Sequence, residues 1–278
     1  MIAVAIQGAP GAFSHEAARR LYGADVPVVP CETFEDLFAA VSAGRADRGV
    51  VPVENTLAGA VQRPMDLLLT DAYHAIAETR VPVRLCLAAR PGVRLEDVRK
   101  AASHPVALDQ CHRFFASHPQ IARATTYDTA GSIKDLMEGT ADYDAGIGSE
   151  LAAELYGAEV LVRGLEDDHR NHTRFLVVVR ERPADPVGGF GLPKTSLAFT
   201  LAHRPGALHH ALGCVAAEAV DLSRLESRPI PGRPWEYRFY ADLRGASEAA
   251  QDRAVAALRA VCGEVHVIGR YEEEPIAE

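Results

Sequence analysis

Asn171-His172-Thr173-Arg174-Phe175, running on into Leu176-Val177-Val178-Val179, decides the fold. Phe175 to Val179 is five apolar residues, three of them valine. A continuous apolar run of this length suits a strand buried on both faces of a parallel sheet. The head of the stretch sets an amide, an imidazole, a hydroxyl and a guanidinium side by side at the mouth of that strand. Read alone, it is a polar turn feeding a strand or a set of hydrogen-bond donors brought to a site. The rest of the chain favours the second reading.

Working outward, the same device recurs. Ile2–Ile6 reads as a first strand, followed by Gly8-Ala9-Pro10-Gly11-Ala12-Phe13-Ser14 and a helix from His15 to Tyr22, with Ser14 as its N-cap. A glycine turn between strand and helix leaves free backbone N–H groups where an anion can bind, although it is also an ordinary tight turn. Thr33–Val41 is an amphipathic helix with Phe34, Leu37, Phe38 and Val41 on one face, stopped by Gly44. Val50–Val53 is a strand that ends in Glu54-Asn55-Thr56, and a helix is expected from Leu57 to about Leu69. Asn55 and Thr56 lie at that junction, as helix caps or as ligand donors. Val81–Ala88 is expected to be one strand, an edge or crossover strand because of Pro82, leading into a second lobe. Leu95-Glu96-Asp97-Val98 reads as a short helix, and Ala101-Ala102-Ser103-His104-Pro105 leads to residues 107–115, another strand end, loop and helix. Asp128 or Thr129 caps a helix to Gly139, and Ser149 caps one to Gly157. These units predict two α/β lobes with a cleft between them: lobe 1 at about 1–78 and 160–182, lobe 2 at about 79–159.

Residues 183–193 are dense in Pro and Gly and read as a linker. Past them the order changes. Lys194–Ala202 is a strand with Leu197, Phe199 and Leu201 alternating, Pro205–Ala219 a helix, Asp221–Glu226 and Trp235–Leu243 strands, Ser247–Val261 a helix and Glu264–Tyr271 a strand. That is βαββαβ, a ferredoxin-like domain at 194–272, with a solvated acidic tail at 273–278.

Bulk properties exclude several classes. Net charge is −9, a field that disfavours nucleic acid and anionic membranes, so an anionic substrate has to be captured by local donors. The 5 Cys are scattered and odd in number, which reads as reduced thiols, not disulfides or a zinc site. Met1–Ile6 lacks a basic flank and is cut short by Gln7-Gly8, so a strand is expected and not a signal peptide. No apolar run approaches the roughly 20 residues of a membrane helix. A cytoplasmic protein is expected.

With Gly8–Ser14, Val51-Pro52-Val53-Glu54-Asn55-Thr56, Ser103-His104-Pro105, Ile147-Gly148-Ser149, Asn171–Phe175, Gly206-Ala207-Leu208 and Glu226-Ser227-Arg228-Pro229 in this order, the chain resembles the monofunctional prephenate dehydratases with a C-terminal ACT domain. The resemblance covers essentially the whole chain. It implies an α/β catalytic domain at 1–182 with the bilobal form of the type 2 periplasmic binding proteins, followed by the βαββαβ ACT domain. It further implies decarboxylating dehydration of prephenate to phenylpyruvate and sensing of phenylalanine. Two departures stand out: Ala12 where the family often has Thr or Ser, and Thr56 where it has Ser after Asn. No N-terminal helical segment is read before Ile2, so a fused chorismate mutase is not expected.

Prephenate is a dianion. Its reaction expels carbon dioxide from one ring carbon and hydroxide from the opposite one, and aromatisation drives it, so no cofactor and no metal are expected. By resemblance Thr173 is the catalytic residue. A threonine hydroxyl is too weak an acid to be a free proton source, so it is read as a hydrogen-bond donor to the leaving oxygen. Arg174 is the expected clamp for the pyruvyl carboxylate, with a structural ion pair to Asp167 or Asp168 as the alternative. Ser14, Asn55, Thr56 and Phe175 complete the expected substrate site. Glu54 and His15 are nearby titratable groups, structural or surface in the plainer reading, and His172 packs or faces water. Gly206, Ala207, Leu208, Glu226, Ser227, Arg228 and Pro229 are the expected effector site, at an interface of a homodimer or homotetramer. Arogenate dehydration is the enzymic alternative, and a non-catalytic amino-acid sensor is the alternative from another class.

Overall fold

The computed structural model describes residues 2–70, 72–181, 191–245 and 247–274. Most of the linker expected at 183–193 and the end of the tail, Pro275–Glu278, lie outside the described residues, as does Arg182. The chain runs β1 Val4–Gln7, α1 Phe13–Tyr22, β2 Val28–Cys31, α2 Phe34–Ser42, β3 Arg48–Asn55, β4 Gly59–Ala60, α3 Gln62–Leu67 and β5 His74–Pro82. It continues through β6 Cys86–Ala89, β7 Lys100–Ser103, α4 Pro105–Leu108, α5 His112–Ser117, β8 Ala122–Thr125, α6 Thr129–Glu138, β9 Ala145–Gly148, α7 Glu150–Tyr156, β10 Glu159–Arg163 and β11 His172–Val179. Then follow β12 Pro193–Thr200, α8 Ala207–Ala217, β13 Asp221–Ile230, β14 Arg233–Arg244, α9 Glu248–Val261 and β15 Val265–Glu272.

The chain divides into two compact units, one of Met1–Met65 with Thr79–Leu176, the other of Asp66–Glu78 with Val177–Glu278. In the first unit, strands lie in the order β5-β11-β3-β1-β2, with β1 parallel to β2 and β3. A second sheet has the order β10-β6-β9-β7-β8. Two sheets in one unit, joined through β5 into β6 and through β10 into β11, make a bilobal α/β fold. Residues Phe175–Val179 of β11 are all buried, as a two-sided apolar strand requires. The polar residues bounding the helices satisfy their free N–H groups. Thr33 and Asp36 form a reciprocal capping box on α2, Asp128 accepts from Gly131 N on α6, and Ser149 accepts from Ala152 N on α7. Gly139 and Gly157 end α6 and α7 in the left-handed conformation.

In the second unit, β12-α8-β13-β14-α9-β15 is the expected βαββαβ pattern, and its strands order as β13-β14-β12-β15-β5. Leu197 and Phe199 of β12 pack with Ala211 and Val215 of α8 and with Ala254, Val255 and Leu258 of α9. Phe199 stacks on Phe239 of β14 at 5.3 Å between centroids.

Several expectations are corrected. Residues 66–78, expected in lobe 1, group with the C-terminal unit. There Gly269 of β15 pairs with Ala75 of β5, and a Cβ at Gly269 would lie 2.1 Å from Ala75 O, so only glycine permits the approach. Glu78, fully buried, meets the Lys194 ammonium at 3.1 Å. Lys194 also faces Glu273 at 3.8 Å, and Arg244 bonds the same carboxylate. Glu273 is therefore a buried anchor, not part of a solvated tail. The helix expected from Leu57 to Leu69 is a turn, the short strand β4 and the brief helix α3. The strand expected over Val81–Ala88 breaks after Pro82 and restarts at Cys86. β13 runs on to Ile230, past its expected end at Glu226, and β14 begins two residues early at Arg233, so Glu226–Pro229 lies within a strand, opposite Tyr240 to Tyr237.

Candidate active site

The C-terminal ends of β1 and β3 and the N-terminal start of β11 meet the loops of the second sheet around a cavity of about 610 Å³ in the first unit. Gln7, Ser14, Asn55, Thr173 and Phe175 line it from one lobe, and His104, Gln110, Tyr127 and Asp128 from the other. Placement at strand ends is where an α/β sheet exposes polar backbone and side chains together.

Asn55 is the organising side chain. Its Oδ1 accepts from Leu57 N at 3.0 Å and Ala58 N at 2.8 Å, which closes a turn immediately after β3. That turn replaces the expected helix start. Its Nδ2 then points the other way, donating to Asn171 Oδ1 at 2.8 Å, His172 O at 3.3 Å and Thr173 Oγ1 at 3.0 Å. Because Thr173 Oγ1 accepts from Asn55, its own proton remains available to an acceptor in the cavity.

The other expected residues fall differently. Ser14 sits within α1 and does not cap it; Ala12 holds that position with no side-chain bond. The Ser14 hydroxyl donates to Gln7 O at 2.8 Å, so it offers the cavity an acceptor and not a donor. Thr56 accepts from His172 N at 3.0 Å and donates to Arg170 O at 3.2 Å. It stitches the β3 end to the β11 start and is not among the cavity residues. Phe175 lines the cavity at 2% exposure. Arg174 does not line it: strand alternation sends Thr173 and Phe175 to one face and Arg174 to the other. Its guanidinium lies 3.6 Å from Glu54 Oε2, while Asp167 caps α5 through His112 N and Arg113 N, and Asp168 pairs with Arg170. The arginine among the cavity residues is Arg63, at the start of α3, whose guanidinium pairs with Glu35.

Gln110, Asp128, His104 and Arg63 were missed as site residues. The capping role of Asp128 was legible, and its Oδ2 also accepts from Ala9 N at 3.0 Å, tying the glycine loop to α6. His104 Nδ1 accepts from Val106 N at 3.3 Å and caps α4. His15 accepts from Gly11 N at 3.0 Å; burial, with Arg19 nearby, lowers its pKa, so it is a neutral structural imidazole. The loop it braces packs tightly: Gly11 has φ +94°, and a Cβ there would lie 2.6 Å from Ala152 Cα. His172 Nδ1 donates to Arg170 O at 3.0 Å.

Of the expected effector residues, Gly206 is the left-handed N-cap of α8, with Ala207 and Leu208 in its first turn. Glu226 pairs with Arg224 at 2.7 Å. Arg228 is held by Asp66 through two bonds of 2.7 and 3.0 Å, and Tyr240 donates to the same carboxylate at 2.8 Å. Ser227 and Pro229 are exposed on β13.

Fold and site together define a bilobal α/β protein with a polar-edged cavity between its lobes and a βαββαβ unit on the same chain. The prephenate dehydratase family model matches residues 4–183, and the chain belongs to that family, whose members are dehydratase enzymes. It is 38% identical over 281 residues to arogenate dehydratase/prephenate dehydratase 2, chloroplastic, of Arabidopsis thaliana, covering 97% of this chain and 72% of that protein. A prephenate dehydratase from Arthrobacter aurescens, solved in complex with L-Phe, is 31% identical with a TM-score of 0.88, over 99% of this chain and 92% of that one. Another solved structure, described as a novel type of quorum quenching acylase, is 34% identical with a TM-score of 0.87, over 98% of both chains. No helix among the described residues is long and apolar enough to cross a membrane.

Proposed function

We propose that the chain is a prephenate dehydratase that forms phenylpyruvate, water and carbon dioxide, regulated by phenylalanine through residues 194–272 acting as an ACT domain. The observation that carries this reading is Thr173, whose hydroxyl oxygen is occupied by Asn55 and whose proton is left for a cavity ligand. In the reaction, the bond from the ring to its carboxylate breaks and that electron pair completes the aromatic ring, expelling hydroxide from the opposite carbon. Thr173 donates to the departing oxygen, and its bond strengthens as charge gathers there. One solvent proton completes the water. Because Arg63 and not Arg174 is among the cavity residues, we assign the pyruvyl carboxylate to Arg63, which would exchange its partner Glu35 for the substrate. Leaving the ring carboxylate without a tight cationic grip helps it shed charge as carbon dioxide.

Arogenate differs only by an amino group in place of the ketone, and the similarity to plant enzymes named for both activities supports it as the second substrate to assay. The L-Phe complex of the Arthrobacter enzyme supports phenylalanine as the effector, and α8 with β13 is the assigned effector site. We read the enzyme as a cytoplasmic homodimer or homotetramer.

The deciding experiment follows phenylpyruvate from prephenate and phenylalanine from arogenate at equal concentrations, with and without added phenylalanine. A higher kcat/KM on prephenate, altered by phenylalanine, is expected. Turnover of neither, by folded protein, refutes the reading. Light scattering at several concentrations tests the assembly: a monomer mass throughout contradicts it.

A further inference from the structure

The two amides that line the cavity, Asn55 and Gln110, are linked by a third that does not. Asn171 is fully buried at the start of β11 and lines no part of the cavity. Its Oδ1 accepts from Asn55 Nδ2 at 2.8 Å, and its Nδ2 donates to Gln110 Oε1 at 2.8 Å. Direction along this chain of amides is fixed from one end. Leu57 N and Ala58 N can only donate, so they hold Asn55 Oδ1 and turn Asn55 Nδ2 towards Asn171. Asn171 must then present its oxygen to Asn55 and its nitrogen to Gln110. Gln110 in turn must give its oxygen to Asn171, which leaves Nε2, a pure donor, as the end of the side chain facing the cavity. Asp167 N, bonded to Gln110 O at 2.7 Å, holds the Gln110 backbone in place.

We propose that Asn171 is a positioning residue for the dehydratase reaction: it carries the polarity fixed at Asn55 in one lobe across to Gln110 in the other, so that Gln110 offers a donor to an anionic substrate. The proposal rests on the dehydratase reading above. It also explains why an amide stands at 171. An aspartate has the same shape but can only accept, so it would satisfy Asn55 and oppose Gln110 Oε1. Gln110 would rotate, give Nε2 to the carboxylate and turn Oε1 on the substrate.

The test is a double-mutant cycle between Asn171→Asp and Gln110→Ala, with kcat and KM measured for each variant on prephenate and arogenate. In the wild-type background Gln110→Ala is expected to raise KM roughly tenfold, the worth of one charge-assisted hydrogen bond. Asn171→Asp is expected to raise KM by at least as much, with a smaller change in kcat. In the Asn171→Asp background, Gln110→Ala is expected to change KM less than about twofold, because the donor it removes has already been turned away. Additive effects, with the full tenfold seen in both backgrounds, overturn the proposal, since a residue that merely supports the fold would give that result. If Asn171→Asp fails to fold, Gln110→Glu provides the second route. At its half-buried position it keeps an acceptor for Asn171 Nδ2 and presents a second acceptor to the cavity, so KM is expected to rise at least tenfold; an unchanged KM overturns the proposal. Failure of the wild type to turn over either substrate sinks the dehydratase reading instead, and is scored before any variant.

Discussion

Replacing Thr173 with valine separates catalysis from stability, because the structure assigns the hydroxyl's two halves to different tasks. Valine keeps the volume and branching of threonine and deletes only the hydroxyl. On the structural side, Asn55 Nδ2 loses an acceptor at 3.0 Å but keeps Asn171 Oδ1 at 2.8 Å and His172 O at 3.3 Å. Both of its N–H groups therefore remain partnered, and no buried donor is orphaned. The stability change should be that of one ordinary hydrogen bond, about 0.5 to 1.5 kcal/mol. On the catalytic side, the lost donor faces charge that develops only in the transition state. Such a donor contributes about 3 to 4 kcal/mol, so kcat should fall roughly 100- to 1000-fold with little change in KM. Phenylpyruvate formation under saturating prephenate measures the first quantity and urea denaturation the second. Thr173→Ser, which restores the hydroxyl, should recover most of the rate. A fall in kcat of less than about fivefold would refute the donor role. A loss of several kcal/mol in stability, tracking the loss of rate, would refute the separation.

Three further perturbations test other parts of the molecule. Gly11→Ala forces a side chain onto a backbone at φ +94° and drives its Cβ to 2.6 Å from Ala152 Cα; a loss of roughly 2 to 4 kcal/mol in chemical denaturation is expected, and a change below 1 kcal/mol would contradict the tight packing of this loop. Burial, with Glu150 adding repulsion, pushes the Glu16 carboxyl from its ordinary 4.5 up to about 7 against the opposing Ser149 hydrogen bond and Arg19 charge. The folded state holds this proton more tightly than the unfolded, so this contribution to stability is full below pH 4.5 and is lost as pH rises to about 7; Glu16→Gln should flatten that slope in melting curves recorded across the window. Asp66→Asn breaks both ionic contacts to Arg228, half-shielded from water, and about 1 to 3 kcal/mol should be lost in urea denaturation; an unmoved midpoint would show that the pair adds nothing beyond its solvated parts.

Most of the architecture was legible because local chemistry and tertiary packing agree. Asp128, Ser149 and Thr33 cap the helices they precede, and the valine run after Arg174 is the buried strand it reads as. The misreadings share one cause: a long-range partner overrode a local preference. Leu57 to Leu69 carries helical residues, yet Asn55 spends its oxygen on Leu57 N and Ala58 N and turns the chain first. The polar head of β11 was recognised, but alternation along a strand divides it, and Arg174 goes with the face opposite Thr173. Gln110 had no local mark, since its role depends on Asn171, 61 residues later in the chain. Glu273 looks like one of three tail carboxylates, and only the buried Lys194 and the neighbouring Arg244 distinguish it.

The passage of Asp66–Glu78 through the C-terminal unit bears on how this protein can be inherited and engineered. A regulatory module added at one end of a gene can ordinarily be cut away or exchanged at a single junction. Here the N-terminal half has contributed a strand and a buried carboxylate to its neighbour's core, so the seam crosses the chain at two separate places. Removing everything after the linker would strip Glu78 of Lys194 and Ala75 of Gly269, and the remnant would carry a raw edge and an uncompensated charge. Exchange of effector specificity between relatives should therefore succeed only when residues 66–78 travel with the C-terminal segment, as one cassette cut in two.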